Sequence, residues 1–177
     1  MTGVDAESEV PPLSHILETC IYVRDLQHST KFYQKTLGIA PFGKSPRSSG
    51  FALGTTTLLL FQLGATANDI EDQGGRIPGH GPSPSVISTL LSTNPQDVES
   101  ETVRAKQHFC FAVPNVNDVV KWDEHLQNQG VRILGRTDWE RGGKNVYFED
   151  PDGHVGEIGS RGIWAHYDIE KREHDAS

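Results

Sequence analysis

Glu157 is the carboxylate around which a chemical reading of this chain starts. It follows the turn Asp150-Pro151-Asp152-Gly153. Pro151 presets φ for a tight turn and Gly153 accepts the positive φ that such a turn needs. The β-prone run Val146-Tyr147-Phe148 precedes the turn and His154 to Ile158 follows it, so the stretch reads as a hairpin. Side chains alternate along a strand, which puts Val155 and Glu157 on one face and His154 on the other. A carboxylate in mid-strand either faces solvent on an edge strand or points inward towards a partner. A metal ion is such a partner.

A second and a third donor come from an internal repeat. Shifting the chain by 90 residues lays Glu18-Thr19-Cys20-Ile21-Tyr22-Val23 on His108-Phe109-Cys110-Phe111-Ala112-Val113, and Asp25 on Asn115. The two cysteines superpose. A repeat of this length signals two copies of one supersecondary unit. Alternation places Glu18, Cys20 and Tyr22 on one face of the first strand, and His108, Cys110 and Ala112 on the matching face of its copy. Ile21, Val23, Phe109, Phe111 and Val113 then face helices. Glu18, His108 and Glu157 therefore point into a common groove, and an oxygen/nitrogen donor set of this kind suits a divalent metal.

The elements that must position these residues read β-α-β-β-β in each copy. Residues 16–23 form a strand. Asp25 caps a helix carrying Leu26, Phe32, Tyr33 and Leu37, and Gly38 ends it. A short strand near 39–42 and strands at 50–53 and 56–63 complete the first copy. Residues 107–113 restart the pattern. Asn115 or Asn117 caps a second helix carrying Val116, Val119, Val120, Trp122 and Leu126, Gly130 closes it, and strand 131–134 precedes the final hairpin. The expected division is a disordered arm (1–13), a first module (14–64), a loop serving as lid or linker (65–104), a second module (105–165) and a charged tail (166–177). Within the loop, Ser85 to Ser92 can form a helical turn. The fold class is α+β, with one curved sheet around one groove.

Composition narrows the function. The chain has 177 residues and a formal net charge of −8. It carries no basic run, which speaks against nucleic acid or anionic membranes as partners. No apolar segment approaches the roughly 20 residues that span a bilayer. The acidic start lacks the features of a signal peptide, and two cysteines suit free thiols, so a cytoplasmic location is expected. Cys20 and Cys110 read as small hydrophobes.

Two stretches resemble the vicinal oxygen chelate superfamily, the glyoxalase / bleomycin-resistance / extradiol dioxygenase group. One is Val23-Arg24-Asp25-Leu26 through Ser29, Phe32-Tyr33 and Leu37-Gly38. The other is Tyr147-Phe148-Glu149-Asp150-Pro151-Asp152-Gly153-His154 with Glu157. The resemblance implies four metal positions on the first and last strands of the modules, carried over as Glu18, Leu60, His108 and Glu157. Leu60 cannot bind a metal. Gln62, assigned to the same strand face, is weighed as a partial substitute and rejected as a metal donor, and loop residue His80 is either a further donor or a solvated histidine. Tyr22 stands where glutathione-using members carry an arginine, which argues against a plain glutathione-dependent glyoxalase I. One histidine with two carboxylates favours Lewis-acid chemistry over iron–oxygen chemistry, with Zn, Mg, Mn, Ni or Fe left open.

The resemblance further implies a small substrate with vicinal oxygens, a lyase or isomerase reaction, Glu157 or Glu18 as proton shuttle, and a homodimer. Tyr22, Leu60, Gln62, Arg141, Lys144, Tyr147 and Trp164 are the candidate substrate-binding residues. Arg141 and Lys144 read equally as a solvated basic turn, and Trp164 as packing. The alternatives are a metal-free protein that sequesters a small molecule, and an extradiol-type dioxygenase with His80 as second histidine.

Overall fold

The computed structural model describes residues 10–92 and 105–166. The expected arm and tail lie mostly outside the described residues, as does the end of the expected loop. The first module comprises β1 (Glu18–Val23), α1 (Leu26–Leu37), β2 (Gly43–Lys44), β3 (Ser48–Leu53) and β4 (Thr56–Gln62). A small hairpin, β5 (Ile70–Asp72) and β6 (Gly75–Ile77), and the helix α2 (Pro84–Ser92) follow. The second module comprises β7 (His108–Val113), α3 (Val116–Asn128), β8 (Ile133–Asp138), β9 (Lys144–Glu149) and β10 (Val155–Ser160). The stretch expected to be an irregular loop thus carries structure of its own, and its helical turn is a full nine-residue helix. No helix of the described residues is long and apolar enough to cross a membrane.

The helix ends follow local chemistry. The Asp25 carboxylate accepts from His28 N–H, and Gly38 closes α1 at φ 69°, a left-handed conformation that costs glycine nothing. Asn115, not Asn117, caps α3 by accepting from Asp118 N–H. The short strand expected near 39–42 lies at Gly43–Lys44, and that expected at 131–134 lies at Ile133–Asp138.

Each module forms a four-stranded sheet, in the orders β1-β4-β3-β2 and β7-β10-β9-β8. In both, the first strand pairs parallel with the last. The α+β fold of two βαβββ modules is as expected, and its curved surface is made of two four-stranded sheets whose edge strands β1 and β7 are bridged by side chains. Gln107 Oε1 accepts from Tyr22 N–H at 2.7 Å, and Gln107 Nε2 donates to the Cys20 carbonyl. His154 Nδ1 accepts from Gln107 N–H at 3.1 Å, so its Nε2–H donates to the Tyr22 carbonyl at 2.9 Å. A buried edge strand must satisfy its polar groups somehow, and here side chains do it.

The Asp150–His154 turn completes the joint. Asp150 accepts from the Tyr33 hydroxyl and from Asp152 and His154 N–H. Asp152 accepts from Arg24 N–H and the Ser29 hydroxyl. The second module's turn therefore holds the start of the first module's helix. Apolar packing runs through the same joint, since Phe32 and Phe111 pack against the core clusters of both modules.

Candidate metal centre on the second module

β7 and β10 place His108 and Glu157 on one open sheet face, with Glu157 in register with Cys110 and Tyr147. Glu157 is 6% exposed. Its Oε1 accepts from Asn145 Nδ2 at 2.5 Å, and its Oε2 lies 3.2 Å from His108 Nε2. His108 Nδ1 lies 3.0 Å from the Val155 carbonyl. A carbonyl only accepts, so Nδ1 carries the proton, and a neutral His108 turns the lone pair of Nε2 towards a carboxylate oxygen. Two acceptors facing each other need a proton or a cation between them. Two donors each about 2.1 Å from one zinc-like ion sit roughly 3 Å apart, and metal-ligating histidines commonly give their other N–H to a carbonyl. This pair therefore fits a divalent ion.

The surroundings of the pair come from residues that alternation alone did not bring forward. Asn145 Nδ2 also donates to the Tyr147 hydroxyl at 2.8 Å, which leaves the Tyr147 proton to donate elsewhere. Burial first, and then the Glu157 carboxylate, push the Cys110 thiol up to about 12. Cys110 is thus a neutral, free thiol set against Glu157 on the open face, and Cys20 is a half-buried free thiol beside Tyr22. Gly159 belongs to the same wall. A Cβ there would lie 2.7 Å from Ile163 Cδ1 and 3.3 Å from Glu157 Oε1, so the missing side chain lets Ile163 close over the carboxylate.

The other expected residues are spread more widely. Glu18 lies exposed on β1, in the other sheet, and among the described residues no three His, Cys, Asp or Glu side chains converge as a metal site. Tyr22 is on the first module's open face, where its hydroxyl hydrogen-bonds His80 Nδ1 at 2.6 Å and its ring meets Phe61. His80 stacks edge-on against Phe61, so the loop covers the first module's face. Leu60 and Gln62 are corrected. Leu60 is 0% exposed in the helix-facing core, and Gln62 accepts from Leu26 N–H and donates to the Arg24 carbonyl at the head of α1. In the strand register, Cys20 pairs with Leu59 as Cys110 pairs with Glu157. Leu59, not Leu60, is the counterpart of Glu157. Lys144 is corrected too: it points to the helix side of β9 and pairs with Asp138. Arg141 lies in the exposed turn before β9, and Trp164 is largely exposed.

Two βαβββ modules with parallel first and last strands and donors on the open faces define the class. The chain belongs to the Glyoxalase/Bleomycin resistance protein/Dioxygenase superfamily, whose model matches residues 13–158. Among solved structures, it is similar to a lactoylglutathione lyase from Agrobacterium tumefaciens, at 25% identity and a TM-score of 0.69 over 88% of this chain and 99% of that one. A glyoxalase/bleomycin resistance protein/dioxygenase from Nocardioides matches at 18% identity and a TM-score of 0.58, over 86% of each chain. An integron cassette protein from the mobile metagenome of V. cholerae matches at 22% identity and a TM-score of 0.54, over 86% of this chain and 98% of that one. The last two show the fold alone.

Proposed function

We propose that this chain is a metal-dependent lyase or isomerase of the glyoxalase-like type, acting on a small substrate with vicinal oxygens. One observation carries the reading: His108 Nε2 and Glu157 Oε2 face each other at 3.2 Å while His108 Nδ1 is committed to a carbonyl. A divalent ion, when bound, supplies chelation of two adjacent substrate oxygens and stabilises negative charge that develops on them. His108 and Glu157 would hold it. Asn145 keeps Glu157 oriented, and the Tyr147 hydroxyl is placed to donate a proton to a substrate oxygen. Glu157 or Glu18 serves as the base that shuttles the substrate proton.

Glu18 reaches the pair in a homodimer in which one copy's first module faces the other's second. Two features support this. Among the described residues, Glu18 forms no three-donor cluster with His108 and Glu157. The segment leading into it exposes Ile16 (75%) and Leu17 (67%), apolar surface that an interface would cover. The runner-up is metal-free sequestration, favoured by the aromatic first-module face of Tyr22 and Phe61. The dioxygenase reading lacks support at His80, which is engaged with Tyr22 and Phe61 instead of joining His108.

The test loads the protein with Zn²⁺, Mn²⁺, Ni²⁺, Mg²⁺ or Fe²⁺ in turn and offers α-oxo and vicinal-oxygen compounds. Turnover that falls by roughly a thousandfold in Glu157→Gln supports the reading, since lost ligands and bases cost that order. Tight binding of aromatic compounds with no turnover under any metal supports sequestration.

A further inference from the structure

Both modules have a cleft between their helix and their outer strands, on the side away from the open face. In the second module it lies between α3 and β8–β9 and holds about 230 Å³. Its charges are paired internally: Arg136 grips both Asp123 oxygens at 2.5 and 2.8 Å, and Lys144 pairs with Asp138. In the first module β2 is two residues long, and the cleft between α1 and β2–β3 opens to about 580 Å³. Its lining includes Lys31 and Lys44, with Thr30, Ser45, Ser48 and Ser49, and no carboxylate. That is unusual in a chain with 24 acidic and 16 basic residues.

Ser49 supplies the second observation. It is 2% exposed, and its hydroxyl has no hydrogen-bond partner among the described residues. Buried hydroxyls are normally paired, and an unpaired one costs stability. The fold does not need a hydroxyl there. Ser49 pairs with Leu60 across β3–β4 as Val146 pairs with Ile158 across β9–β10, so the matching position in the second module is a core valine. Leu26 and Pro46 add apolar lining beside it.

We propose that this cleft is a second ligand site, for a small organic phosphate monoester. The phosphate sits between the Lys31 and Lys44 ammonium groups and accepts from the Ser49 hydroxyl, and the organic body lies against Leu26 and Pro46. A phosphate monoester near two negative charges balances two lysines, and its oxygens match several hydroxyl donors. The site is independent of the metal centre.

The test titrates the full chain with phenyl phosphate by calorimetry, with benzoate in parallel. The expected result is saturable binding of one phenyl phosphate per chain, with benzoate weaker. Lys31→Ala and Lys44→Ala should each weaken it about tenfold, as loss of a charged hydrogen bond does. His108→Ala should leave it unchanged. Ser49→Ala should weaken it several-fold while the free protein's Tm holds or rises; a purely structural Ser49 would lower Tm and leave affinity alone. No saturable binding, binding indifferent to both lysines, benzoate binding as tightly, or loss of binding in His108→Ala would each overturn the proposal.

Discussion

The open face of the first module carries Glu18, Cys20 and Tyr22 on β1 and Leu59 and Phe61 on β4; the second carries His108, Cys110 and Ala112 on β7 and Glu157 and Gly159 on β10. These positions correspond pair by pair. Where the first module has two aromatic rings, the second has a methyl group and a hydrogen. The rings hold His80 and the covering loop: a Cβ on Gly81 would lie 2.7 Å from Tyr22 Cε1. The small pair instead admits Ile163 and leaves Glu157 in reach of Asn145. Where the first module has Leu59, the second has a buried carboxylate. The ladders are the same, so the difference lies in side chains that the backbone does not require. That is how one unit serves once as an apolar wall and once as a donor site.

The largest effect should separate Leu60 from Leu59. Leu60→Glu puts an unpaired charge into the shared core and should cost several kcal/mol, leaving little soluble protein. Leu59→Glu restores the counterpart of Glu157 on the open face and should fold, with metal bound at least as tightly. Expression and circular dichroism of the two variants check this; equal damage from both would break the register argument.

The joint between modules is asymmetric as well. The second module's turn engages α1 through Asp150 and Asp152, whereas the first module's turn at Gly54-Thr55 is short and exposed. Asp150→Ala leaves the Tyr33 hydroxyl and two N–H groups without their acceptor and should cost about 3 kcal/mol. Thr55→Ala should stay within about 0.5 kcal/mol. Urea denaturation compares them, and similar costs would mean the turn does not bind the modules together.

A smaller effect concerns the same joint at high pH. Burial first, and then the Asp150 carboxylate, hold the Tyr33 phenol well above its usual 10.0. A folded value above the unfolded one means that the stability it contributes is complete below about pH 10 and is lost as pH rises towards the folded value. Absorbance at 295 nm should therefore show equal tyrosine ionisation in the wild type and Tyr33→Phe until the protein unfolds in alkali. An extra tyrosine titrating near 10 in the folded wild type would contradict this.

Much of the architecture is legible in local chemistry. Asp25, Gly38 and the Asp150–Gly153 turn announce themselves because caps and tight turns depend on a few neighbouring residues. The strand faces of β1 and β7 are readable because their polar and apolar residues alternate. β4 is different: Thr56-Thr57-Leu58-Leu59-Leu60-Phe61 has no alternation, so it gives no phase, and Leu60 falls on the wrong face by one residue. Gln107 and His154 act through Tyr22, far along the chain, which no local pattern encodes. The β5–β6 hairpin and the length of α2 lie in a Gly- and Pro-rich stretch whose order comes from packing, including Thr66 accepting from His80 N–H through its carbonyl.

The proposed chemistry depends on a divalent ion held between His108 and Glu157 on the second module's open face. The most direct measurement is elemental analysis of protein purified without added metal or chelator, for the wild type and for His108→Ala and Glu157→Ala. Near-stoichiometric metal is expected in the wild type, and its loss in both variants. Metal retained in both, or a wild type that neither holds a divalent ion nor gains melting temperature when one is added, would contradict it.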